Sequence, residues 1–184
     1  MRIAVIGAGS VGRNLAAATR ALGHDVAVGV RDPDDPRHAD AGERATPAAA
    51  ADGADLVALA VPAAAVGAPP PDGFATMGAY TRSLVPEDVP VVKAFNTIGA
   101  EHFVHAAVDG TAAFLPIAGD PAGVEVVEGL ARAMGFDVAV LGGPEAVPLV
   151  EDHARLWIHL MRTGWGRGFA FAVLGGPARG EGTA

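Results

Sequence analysis

With 184 residues, 51% of them hydrophobic and 18% charged, the chain is long enough to bury one substantial core and too apolar to be disordered. A formal charge of −8 argues against a general nucleic-acid binder, because a phosphate backbone calls for a basic surface. The absence of cysteine excludes disulfides, thiolate nucleophiles and cysteine metal sites, and it fits a cytoplasmic location.

The opening MRIAVIGAGSVGR breaks its apolar run with glycines and does not read as a secretion signal. No run of about 18 uncharged apolar residues occurs, so no membrane helix is expected. Residues 2–6 (RIAVI) predict a strand buried on both faces. Residues 11–22 predict a helix with Val11, Leu15, Ala18 and Leu22 on its apolar stripe and Gly23 as its stop. DVAVGV (25–30) is a second strand, Thr46-Pro47 a helix start, and DLVALAV (55–61) a third strand ended by Pro62. Strands alternating with helices at this spacing give a parallel sheet with right-handed crossovers. Further on, 89–95 and 112–118 read as strands. Asp120 and Pro121 cap and open a helix through Val124, Val127, Ala131 and Met134 that Gly135 stops. Residues 137–142 are another strand, and 148–161 a helix. The fold class is therefore α/β, a Rossmann-like, doubly wound and mainly parallel sheet with helices on both faces and a C-terminal helix. Residues 1–174 are read as one domain with a shortened, linker-like stretch at 63–90, and 175–184 as a flexible tail.

The first βα turn reads GAGSVG and fits G-x-G-x-x-G, with Gly7 for the tight turn, Gly9 for approach of a pyrophosphate and Gly12 for close helix packing. The helix N-terminus behind it offers free N–H groups to phosphates. A merely structural glycine turn is the alternative, and the position at the first βα turn favours dinucleotide binding. At the end of the second strand, where an NAD site carries an acid, stands Arg31, which can pair with a 2′-phosphate and favours NADP(H) over NAD(H). The competing reading is an exposed arginine paired with Asp32 or Asp34.

GAGSVG, GHDVAVGVRD, LVALAVP, VVKAFNTIGAEHF and RLWIHLMRTGWGRGFAF, in that order, resemble the deazaflavin-dependent NADP oxidoreductases, which pass hydride between NADP and coenzyme F-420. The resemblance implies that Ala8, Gly9, Ser10 and Val11 contact the diphosphate and Arg31 the 2′-phosphate. It also implies that Val61 and Pro62 border the ribose and that Ala100 meets the nicotinamide amide. Asn96 and Thr97, at the carboxyl edge of the KAFNT strand, are the catalytic candidates that could orient the second ring. Direct hydride transfer asks mainly for positioning and exclusion of water.

Three departures from the family pattern stand out. Val30 replaces a serine or threonine before the arginine, and Asp34, Asp35 and Pro36 occupy a region where many members carry lysine. Residues 63–90 lack the strand with an Asp-x-x-Asn-Pro-like loop, although FATMGAYTRSL (74–84) fits the second helix of that segment.

The six histidines share no carboxylate-rich cluster, so His102, His105, His153 and His159 read as surface residues and no metal site is expected. Lys93 reads as a phosphate or carboxylate partner more readily than a general acid. Glu151, Asp152 and His153 cannot face one another on a helix. Trp157, Trp165, Phe169 and Phe171 read as core or dimer contacts in preference to a ring-stacking box. The expected function is hydride transfer between NADPH and a deazaflavin (coenzyme F-420), a flavin or a small electrophile, in a homodimer without nucleic-acid or membrane partners. The alternative is a degenerate Rossmann protein that binds a nucleotide or a specialised metabolite without redox turnover.

Overall fold

The apolar run Arg2–Ile6 forms β1, and its three middle residues are buried, as expected of a central strand covered on both faces. The structure is a computed structural model that describes residues 1–60 and 72–175. Val61, Pro62 and the stretch up to 71 lie outside the described residues, as does the expected tail from 176. β2 (Asp25–Gly29) and β4 (Leu56–Leu59) run parallel to β1 on its two sides, and a short β3 (Arg44–Ala45) extends the sheet to the order β3-β2-β1-β4.

Helix α1 (Ser10–Ala21) connects β1 to β2 and buries Leu15, Ala16, Ala18 and Thr19. Leu22, expected on that stripe, lies one residue past the helix and is exposed. Gly23, at φ 83°, ends the helix as anticipated. Helix α2 (Pro47–Ala51) starts at Thr46, whose hydroxyl accepts from the Ala49 N–H at 3.3 Å. It covers the opposite face, over Ala4 and Ala27. A 3-10 turn over Pro36–Ala41, absent from the sequence reading, leads from β2 to β3.

The second half departs more from expectation. β5 (Val92–Lys93), β8 (Phe114–Gly119) and β9 (Asp137–Val140) form a separate sheet in the order β5-β8-β9. β8 and β9 are parallel, but β5 is antiparallel to β8. The expected strand 89–95 shrinks to two residues because Phe95 adopts φ 57° and turns the chain out of the sheet. The expected strand 112–118 begins later because β7 (Thr111–Ala112) pairs back on β6 (Ala107–Val108). Asp109 and Gly110, both at positive φ, make that hairpin turn, and Asp-Gly is the sequence signal that announces it.

Helix α3 (Met77–Leu84) is capped by the Thr76 hydroxyl, 3.0 Å from the Ala79 N–H, and supplies the helix expected at 74–84. Helix α4 (Pro121–Ala133) follows Asp120, but the Asp120 side chain does not cap it. Its carboxylate instead accepts from the Val91 N–H at 2.7 Å and pairs with Arg82 at 3.2 Å, fastening the entry of β5. Helix α5 (Val147–Leu160) closes the second half. One hydrophobic cluster joins both sheets, with Ile3, Val5 and Val28 of the first, Leu115, Ile117 and Val138 of the second, and Leu15 and Leu130 from α1 and α4.

Glu151 on α5 is buried and organises the contact between α3, β5 and α5. Its Oε1 accepts from the Gly78 N–H at 2.9 Å and lies 4.0 Å from Lys93 Nζ. Burial pushes the Lys93 ammonium below the usual lysine value, against the pull of Glu151. The pair makes Lys93 a carboxylate partner. Glu151→Leu is expected to cost roughly 2 kcal/mol, because the half-buried Lys93 is left without its main counter-charge and Gly78 without an acceptor. Lys93→Met, which leaves Glu151 with Gly78 and Arg155, is expected to cost about 1 kcal/mol. Urea unfolding of the two variants measures the difference, and equal losses would locate the support in packing instead.

Candidate functional site

The turn after β1 is shaped by what a side chain would strike. Gly7 adopts φ 113°, and a Cβ there would run into the Ala60 carbonyl at the end of β4. A Cβ on Gly12 would run into the Gly7 carbonyl. Both glycines are therefore demanded by the protein's own backbone. Gly9 is different. It has φ −75° and ψ −176°, ordinary for any residue, and nothing lies within 4 Å of the place a Cβ would take. Neither conformation nor packing within the described residues requires glycine there.

Gly9 is also the N-cap of α1, with no side-chain cap. The first helical bond runs from Arg13 N–H to Gly9 O at 3.0 Å. The N–H groups of Ser10, Val11 and Gly12 thus have no acceptor among the described residues, as the first turn of a helix dictates. They stand beside an open, exposed glycine at the positive end of a 12-residue helix. That is the geometry of an anion cradle.

At the end of β2, Val30 is buried and Arg31 is exposed. Arg31 makes no hydrogen bond or ion pair among the described residues, and the alternative pairing with Asp32 or Asp34 is not what the structure shows. Asp32 instead accepts from the Asp34 N–H at 3.1 Å. Asp35 caps the 3-10 turn and is gripped by the Arg37 side chain and N–H, which bring its carboxyl down to about 2. Asp40 pairs with Arg13 at 2.7 Å.

The third part of the site follows the bend at Phe95. Asn96 Nδ2 reaches the Val150 carbonyl only at 3.5 Å, and its Oδ1 is buried without a partner. Thr97 is wholly buried, and its hydroxyl has no partner either. Positive φ on a phenylalanine next to two orphaned buried oxygens is the local strain that gathers at ligand sites. Ala8, Val11, Ala60, Phe95, Ile98 and Ala100 belong to one cluster, and the 3-10 turn Ala100–His102 packs against α1. The glycine turn, the end of β4 and the post-β5 bend, far apart in sequence, thus converge. Ala100 itself is 1% exposed and enclosed by the protein.

The sequence reading missed how the C-terminal segment serves this region. After α5 the chain turns through Met161–Trp165, where Gly164 and then Gly166 take positive φ, and returns along the bend. Arg167 grips Glu101 at 3.2 and 3.1 Å, Ala170 bridges to Ile98, and the Phe171 carbonyl accepts from the Phe114 N–H at 2.8 Å. Trp157, stacked 5.4 Å from Phe169, donates its indole N–H to the Phe169 carbonyl at 3.2 Å. Trp157, Phe169 and Phe171 are therefore intramolecular contacts, while Trp165 is 65% exposed. His153, expected at the surface, sits between Phe114 and Phe171, where burial pushes its pKa below the usual histidine value. A shallow groove along Gly119, Glu125 and Gly142 lies at the other end of β5 and offers carboxylates where a phosphate would need donors.

Residues 2–70 match the model of the family described as NADP oxidoreductase, coenzyme F420-dependent. No curated protein matches the chain. Among solved structures, a candidate F420-dependent NADP reductase from Arthrobacter sp. FB24 is similar at 27% identity over 95% of this chain and 99% of that one, with a TM-score of 0.78. Both findings support the family that the sequence resembles. A hypothetical protein from Sinorhizobium meliloti, at 22% identity over 79% and 87% of the two chains with a TM-score of 0.62, shares the fold. So does an imine reductase from Myxococcus stipitatus, at 17% identity and a TM-score of 0.56, over 89% of this chain and 60% of that one.

The contrast among the three glycines is directly testable. Gly9→Ala is expected to fold and melt like the parent, yet to lose at least about tenfold in dinucleotide affinity by calorimetric titration. Gly12→Ala is expected to destabilise by about 2 kcal/mol or more in thermal or urea melts, because helix and turn must part. Unchanged nucleotide affinity in Gly9→Ala would remove the ligand-based explanation for that glycine.

Proposed function

We propose that this chain, whose residues 2–70 match the coenzyme F420-dependent NADP oxidoreductases, is an NADP(H)-dependent reductase that passes hydride to or from a deazaflavin, a flavin or a small electrophile. The observation that carries the reading is Gly9, a glycine the fold does not need, set beside three unpaired N–H groups of α1. The residues fit the dinucleotide on three counts. An uncapped helix start suits a diphosphate, the unpaired Arg31 suits a 2′-phosphate, and the buried, unpartnered oxygens of Asn96 and Thr97 mark the bend beside which a second ring would lie.

The bound dinucleotide supplies the hydride. The chain's part is positional. Ser10, Val11 and Gly12 hold the diphosphate by their N–H groups, Arg31 selects the adenosine end, and the bend at Asn96 and Thr97 shapes the reacting end. The C-terminal segment, lying against Ile98, keeps water from that side. A homodimer is part of the proposal, because α5 presents Leu149 and Leu156, two turns apart and both exposed, and Trp165 beyond it is exposed too. Val61 and Pro62, proposed ribose neighbours, complete the cofactor-binding set.

A second reading, nucleotide or metabolite binding without redox turnover, draws on one observation. Among the described residues no strand pairs with the outer edge of β4, and Val57 and Leu59 are 43% and 57% exposed there. Apolar surface on that strand that faces water is the feature this reading draws on.

Titration with NADPH and NADH, followed by single-turnover oxidation with a deazaflavin acceptor, tests the two readings. Tight NADPH binding with hydride transfer is expected. Tight binding with no transfer to any acceptor leaves the second reading, and binding of neither nucleotide overturns the first and the nucleotide form of the second. Arg31→Ala is expected to weaken NADPH about tenfold or more and NADH little. Equal losses would show that Arg31 does not read the 2′-phosphate.

A further inference from the structure

We propose that Arg13 is a positioning residue that fixes the diphosphate turn and the adenosine-side loop relative to each other, and so sets the preference between NADPH and NADH without touching either. The inference rests on the nucleotide-binding reading above. Arg13 stands in the first turn of α1, directly after Gly12, and its guanidinium makes three short bonds in three directions. Nε donates to the Ala8 carbonyl at 2.7 Å, inside the glycine turn. Nη2 donates to the Arg37 carbonyl at 2.6 Å, and Nη1 pairs with Asp40 Oδ2 at 2.7 Å, both in the 3-10 turn Pro36–Ala41.

One planar fork therefore spans the two loops that a dinucleotide's phosphates would straddle. The loop carrying Arg31 is anchored at one end by β2 and at the other by this turn, which Asp35 also braces through Arg37. The distance from Arg31 to the Ser10–Gly12 amides is then set through Arg13. Lysine cannot replace it, since a single ammonium lacks the fixed fork that serves three acceptors at once.

The energetics favour geometry over stability as the role. The Arg13 side chain is 33% exposed and that of Asp40 66%, so their ion pair adds little to folding free energy. Three of the five guanidinium donors are spent on the protein's own loops, one on each nitrogen. Arg37 is likewise engaged by Asp35. Arg31 remains the cation whose placement counts, and Arg13 holds the frame in which it is placed.

The test is a set of variants, each titrated calorimetrically with NADPH and with NADH. Arg13→Lys and Arg13→Met are both expected to lower the NADPH-over-NADH preference about five- to tenfold, with melting temperatures near that of the parent. Asp40→Asn, which keeps all three arginine donors, is expected to lower it about threefold, and it preserves the test should the arginine variants fold poorly. In an Arg31→Ala background the Arg13 substitutions are expected to change the preference no further. A folded Arg13→Lys with the parent's preference would overturn the geometric role, because charge alone would then suffice. Additive effects of Arg13→Met and Arg31→Ala would overturn the coupling. A parent protein that binds neither nucleotide, or both alike, would overturn the underlying reading together with this inference. A parent that prefers NADPH and is indifferent to Arg13 would overturn this inference alone.

Discussion

Backbone atoms of Gly7, Gly12 and Ala60 meet so closely that no side chain fits between β1, the start of α1 and the end of β4. That contact draws the helix N-terminus down onto the carboxyl ends of the two central strands. The first turn of α1 keeps its N–H groups unpaired among the described residues, with Ser10 exposed and Gly12 buried. The same contact aims the helix at the open space beside Gly9. Arg13, one residue farther along, converts that local fit into a longer reach, tying the turn to the loop beyond β2. The start of α1 thus has the shape and polarity that suit an anion, set by sterics first and electrostatics second.

The second half meets a different constraint. β5 is two residues long before Phe95 turns it out of the sheet. Asn96 and Thr97 are enclosed with orphaned oxygens, and the C-terminal segment takes up a position between Ile98 and Phe114. A buried Glu151 and Lys93 secure α3 and α5 around the same strand. Tertiary contacts, not regular pairing, hold the bend after β5 together.

The N-terminal half was legible because its signals are local. An apolar run, a spaced set of glycines and a threonine cap each act within a few residues, and each forms the element it announces. The reading failed where a distant partner decided the outcome. Asp120 looks like a helix cap, but the Val91 N–H and Arg82 claim its carboxylate from 29 and 38 residues away. His153 looks like a surface residue until Phe114 and Phe171 enclose it. The role of Arg13 was invisible for the same reason, since two of its three acceptors lie 24 and 27 residues off. The hairpin at Asp109-Gly110 is the exception, a local signal that was present and went unused.

Dinucleotide binding, as proposed, rests on the unpaired amides at the start of α1. In a 15N-labelled sample titrated with NADPH, the N–H resonances of Ser10, Val11 and Gly12 should show the largest shifts. They should move downfield as each donor gains a phosphate acceptor, and the same titration should broaden or shift Arg31. Shifts that leave these three amides in place, with or without binding elsewhere, would contradict it.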